Sequence, residues 1–185
     1  MSKAKTPARA KPAALTEKEV AARNGAALAR VAEMDDPEKL RNLMANAERM
    51  GVFPVRDAAF RRLALVQTEE EPDTIEHDLM MTVHAYEQLL REELGKAKRL
   101  TKTRMKMTKS GAAKALAAFP EVTAEWGAFD ELITRGQSDL TGEAVILRHP
   151  DAVDEAVRDA AAARLEDAQT APEPEPTDPT EAATA

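Results

Sequence analysis

From Thr16 onward, apolar and polar positions alternate at helical spacing. Thr16 followed by Glu19 has the form of a capping box, in which the hydroxyl takes a free first-turn N–H and the carboxylate takes the N–H of the cap. It precedes "EVAARNGAALARVAEM", where Gly25 weakens the helix by about 1 kcal/mol relative to alanine. Asp36-Pro37 offers an N-cap and a proline for the first turn of a second helix, and Gly51 its stop. Between them Leu40, Leu43, Met44, Ala47 and Met50 fall on one face. Pro54 opens "VRDAAFRRLALVQ" after a link so short that the two helices should form a hairpin or a steep crossing.

The most regular pattern lies in "PDTIEHDLMMTVHAYEQLLREELG". Ile75, Leu79, Val83, Tyr86, Leu90 and Leu94 recur at helical spacing, with Asp73 or Thr74 as cap and Gly95 as stop. This predicts the central helix. Beyond it, Thr101 is placed to cap a short helix, Gly111 to bend the chain, and "AAKALAAF" to form another short helix closed by Pro120. Val122, Trp126, Phe129 and Ile133 then share a stripe ending before Gly136. In "DLTGEAVILRHP" the Val145-Ile146 pair favours a strand, but a lone strand has nothing to pair with, so a short buried helix is expected. Pro150-Asp151 starts a last helix. The expected fold is all-α, a compact multi-helix domain of about seven or eight helices over residues 16–166.

Composition changes this picture at the ends. Residues 1–15 are rich in Ala, Lys and Pro and hold no acid, so a disordered basic arm is expected. Residues 167–185 hold Pro, Thr, Ala and acids without one base, which predicts a disordered, extended acidic tail. From Glu166 onward the six acids are Glu166, Asp167, Glu173, Glu175, Asp178 and Glu181; the four bases of the arm offset most of them, and residues 16–165 carry a net -5 of the chain's -7. Aromatics make up only 3%, which leaves Trp126, Phe53, Phe60, Phe119, Phe129 and Tyr86 as the large anchors of an aliphatic core. The absence of cysteine excludes disulfides, thiol catalysis and cysteine-held zinc. No apolar run approaches the roughly 18 residues of a membrane span, and Met1 to Ala14 lack a signal-peptide core, so cytoplasm is the expected location.

Charge then singles out one segment. "GKAKRLTKTRMKMTKSGAAK", Gly95 to Lys114, carries Lys96, Lys98, Arg99, Lys102, Arg104, Lys106, Lys109 and Lys114 and no acid. Such a strip suits phosphate neutralisation with counterion release, and Thr101, Thr103, Thr108 and Ser110 add hydroxyl donors. Lys102, Lys106 and Lys109 share a helical face at i, i+4 and i+7. Helix, glycine, helix resembles a helix-turn-helix only in outline, because "AAKALAAF" offers Lys114 alone to a base edge. A solvated surface without a ligand explains the same residues.

Other chemistry is sparse. His77 and His84 lie two turns apart, about 10 Å along the helix, too far to share one metal ion, and are expected to be exposed. His149 is expected to cap or to lie at the surface. Glu69, Glu70 and Glu71 read as a solvated loop. Met80 is expected in the core, Met81 on a second packing face or at an interface, and Met105 and Met107 in the core or on a partner surface. No glycine-rich phosphate loop, nucleophile elbow or metal-ligand box is present. These observations lead to a non-enzymatic accessory or regulatory protein, without cofactor, binding nucleic acid, DNA more than RNA. The alternative is a protein–protein adaptor whose strip docks an acidic partner.

The basic segment followed by "LTGEAVILRHP" also resembles a family of small, mostly uncharacterised bacterial helical proteins. In these a Gly-Lys, spaced Thr-Arg residues and a Gly precede an Ala/Val/Leu helix and a Glu-Ala-Val-x-Leu-Arg-His-Pro element. The likeness covers about residues 38–165 and implies a helical fold; it supplies no activity or site residue. Lys106, Lys109 and the acidic tail depart from the pattern.

Overall fold

The computed structural model describes residues 16–170. The basic arm at 1–15 and the acidic tail from 171 onward lie outside the described residues. Within them the chain is all-α, with ten α-helices, three 3-10 turns and no strand. The described residues divide into two compact units between Arg62 and Leu63.

The first unit holds α1 (Glu17–Ala32), α2 (Pro37–Arg49) and the start of α3 (Phe53–Val66). The Thr16–Glu19 capping box forms in both directions, and Asp36 accepts from the N–H groups of Glu38 and Lys39 at 2.9 and 3.1 Å. Leu40, Met44 and Ala47 are buried with Val31, Val55, Ala59 and Phe60. Leu43 is half-buried and Met50 exposed, because the helix has already ended when Met50 is reached. The Arg62 guanidinium donates to the Met34 carbonyl at 2.8 Å and fixes the α1–α2 turn. Phe53, expected as a core anchor, is exposed and lies under the Arg56 guanidinium at 4.9 Å.

The second unit is built on α4 (Ile75–Leu94), capped by the Thr74 hydroxyl. Leu79, Val83, Tyr86 and Leu90 are buried as the pattern predicts, while Ile75 is only half-buried and Leu94, in the last turn, is exposed. Around α4 pack α6 (Ala112–Ala117), α8 (Ala128–Thr134) and α9 (Gly142–Arg148), with α10 (Glu155–Thr170) against α9 and α8. Before α6 comes α5 (Thr101–Ser110), and after it α7 (Phe119–Thr123). The short buried helix expected around Val145-Ile146 is α9. The last helix starts at Glu155 rather than at Pro150, whose own segment forms a 3-10 turn, and it continues through residues 167–170.

Two glycines shape the surface and the core of this unit. The stripe from Val122 to Ile133 does not exist as one helix. Gly127 adopts φ 59°, a conformation that favours glycine, and separates the 3-10 turn Ala124–Trp126 from α8. Phe129 therefore enters the core, while Val122 is exposed and Trp126 is left partly exposed. Gly142, in turn, meets the Phe119 ring so closely that an added Cβ would lie 2.5 Å from it. Phe119 is buried and lies edge-on against Tyr86, centroids 4.9 Å apart. Gly142→Ala is expected to destabilise by about 1–3 kcal/mol through overpacking. A urea-denaturation midpoint equal to wild type would contradict this contact.

Candidate nucleic-acid interface

The basic strip is held in place by one carboxylate. Gly95 ends α4 with φ 66°, residues 96–100 run as a loop, and α5 follows. Leu100, not Thr101, is the N-cap residue, and it makes no side-chain cap bond. Instead Glu87 on α4 reaches the junction. Its Oε1 accepts from the Leu100 N–H at 2.7 Å and from Arg104 Nε at 2.9 Å, and its Oε2 accepts from Arg104 Nη2 at 2.8 Å. This is a forked, charge-assisted pair. Burial pushes the Glu87 carboxyl up, but the bonds from Arg104 and Leu100 outweigh it and hold the group below the usual carboxylate range. Arg104 Nη1 lies 3.9 Å from Met80 Sδ on α4.

Arg104 thus differs from the other seven basic residues. Its side chain is only 21% exposed and engaged with Glu87. Lys96, Lys98, Arg99, Lys102, Lys106, Lys109 and Lys114 are all exposed, and none has an ion pair among the described residues. Lys102, Lys106 and Lys109 lie on the outer side of α5, whose inner side is marked by buried Thr103 and half-buried Arg104 and Met107. Gly111 (φ 87°, ψ 162°) turns the chain directly from α5 into α6, which packs against α5 and carries Lys114. Of the methionines, Met80 is in the core, Met81 and Met107 are half-buried and Met105 is exposed.

Two grooves flank α5. One, of about 310 Å³, runs between Arg99, Arg104, Met105 and Lys109. The other, of about 420 Å³, has Lys98, Arg99 and Lys102 on one side and Val122 and Trp126 on the other. Lys98 Nζ stands 5.5 Å from the centre of the Trp126 ring, a cation–π contact worth about 0.5–1 kcal/mol at an exposed site. Lys96, Lys106 and Lys114 line neither groove.

His77 and His84 are not exposed, contrary to the expectation from the pattern; their side chains are 11% and 12% exposed. The reason is that α4 buries residues around most of its circumference, not one stripe. His84 Nδ1 is 3.4 Å from Arg104 Nη2, which fits a neutral ring accepting from the cation. Burial, then the Arg104 charge, holds its pKa down to about 4, although Glu87 acts the other way. Its folded value lies below the unfolded 6.5, so its contribution is complete above about 6.5 and is lost as pH falls towards 4. The His84 ring resonances should accordingly stay flat in an NMR titration from about pH 8 to 5; a midpoint near 6.5 would contradict this environment. His149 is structural too: its Nε2 lies 2.9 Å from Asp78 Oδ2, which also accepts from Arg148 at 3.0 Å. Burial raises the Asp78 carboxyl, and His149 and Arg148 more than reverse it, so the Leu-Arg-His-Pro element ties the end of α9 to the start of α4. Among the described residues no three His, Asp or Glu side chains gather to hold a metal ion.

No family model, curated protein or solved structure matches the chain. Sequence reasoning located the strip but missed Glu87 as its clamp and Trp126 as the wall of its groove.

Proposed function

We propose that this protein is a nucleic-acid-binding accessory or regulatory protein of the cytoplasm, gripping the phosphate backbone through the Lys/Arg-rich segment 96–114. The observation that carries the reading is the contrast within that segment. One arginine is fixed to a carboxylate, while seven cations stand in solvent without an ion pair among the described residues. Holding like charges together costs repulsion, which a polyanion relieves while releasing its counterions. Lys102, Lys106 and Lys109 supply the continuous face, Lys98, Arg99 and Lys96 extend it through the loop, and Lys114 adds to it from α6. Arg104 acts by holding α5 in place. DNA is the favoured polymer.

Purification at low salt tests this against the adaptor reading. The nucleic-acid reading predicts copurifying material that absorbs at 260 nm and leaves in high salt. A stoichiometric acidic protein in its place would support an adaptor.

A further inference from the structure

We propose that the groove over Trp126 seats an unpaired nucleotide, so that the strip favours single-stranded over duplex nucleic acid; this rests on the nucleic-acid reading above. A phosphate-binding surface needs only cations. This one has an aromatic wall as well, placed there because Gly127 turns Trp126 out of the core stripe. The groove volume of about 420 Å³ falls within the roughly 300–1,000 Å³ of small-molecule sites. Its two sides differ in the way a nucleotide does. Val122 and Trp126 present an apolar, flat side suited to a base, and Lys98, Arg99 and Lys102 present a cationic side suited to the phosphate attached to it.

Lys98 lies over the indole, but it is an exposed side chain on a loop. A base stacked on an aromatic ring is held more strongly than an exposed cation on the same ring. The base therefore displaces the ammonium, which moves to the phosphate and gains an anionic partner. A duplex cannot do this, because its bases are already stacked and paired. The favoured ligand is thus a strand with free bases, read without sequence preference because every base has a π-face.

Trp126 is the sole tryptophan of the chain, so intrinsic fluorescence reports this groove directly. The full-length protein would be titrated with oligothymidylate, with an abasic deoxyribose-phosphate oligomer of equal length, and with a duplex of equal length. Anisotropy of labelled strands would be followed in parallel. Quenching of Trp126 by oligothymidylate alone, with affinity about tenfold above that for the abasic strand, is the expected result. Trp126→Leu should remove that advantage and Trp126→Phe restore most of it. Equal affinity for thymidylate and abasic strands without quenching would overturn the stacking site while leaving phosphate binding intact. No binding to any of the three would instead overturn the nucleic-acid reading itself. The quenching measurement on the wild-type protein decides the matter even if a Trp126 variant folds poorly.

Discussion

Changing Lys102, Lys106 and Lys109 together to alanine is expected to lower nucleic-acid affinity by about a hundredfold at low salt. The dependence of log affinity on log salt should become shallower by about two to three units, since each phosphate contact contributes roughly 0.7–0.9. The loss should be uniform across base sequences, because these side chains offer charge and no base-reading geometry. Stability should change little: all three are exposed and without an ion pair among the described residues. The triple variant leaves Arg104 in place deliberately. Its guanidinium belongs to the Glu87 clamp, and removing it would mix a folding defect with a binding defect. Wild-type affinity and slope in the triple variant would remove α5 from the interface.

Glu87→Ala should be as damaging by a different route. It strands the Arg104 cation and deprives the Leu100 N–H of its acceptor. Breaking one partner of a buried pair costs about 3–5 kcal/mol, and the low end applies here because the two side chains retain 21% and 14% exposure. An unfolding free energy from urea denaturation lowered by that amount, together with weaker nucleic-acid binding despite eight intact basic residues, is the expected outcome. The double variant Glu87→Ala, Arg104→Met should recover part of the stability, since no buried charge is then left alone. Purely additive losses would show that the pair is not coupled. The clamp also sets a pH window. Glu87 titrates lower in the folded chain than its ordinary 4.5, so its contribution is complete above about 4.5 and fades as pH falls through the folded value.

The parts of this molecule written in local chemistry are legible from the chain. Thr16 with Glu19, Asp36 with Pro37, Gly51 and Gly95 each mark a helix boundary through neighbours within a few residues, and those boundaries stand. The basic strip is equally plain, because charge at the surface needs no partner to be read. What fails is whatever depends on distant packing. Glu87 and Arg104 are seventeen residues apart on different helices, and no periodicity connects them. His77 and His84 look polar-faced because a stripe describes one side of a helix, whereas α4 is packed around most of its circumference. Spacing alone assigns Trp126 to the core; the left-handed turn at Gly127 redirects it to the basic groove. His149 reads as a capping residue and does stand at the C-cap of α9, but the contact that it and Arg148 make with Asp78 on α4 is not legible in the chain.

Fluorescence anisotropy of the full-length protein with labelled duplex DNA and single-stranded RNA, over a salt series, tests the central claim most directly. Binding that weakens steeply with salt, with a log–log slope of about -2 or steeper, is the result that the exposed lysines and the Glu87-anchored strip predict. No binding to either polymer at low salt would contradict it and leave the strip to an acidic protein partner.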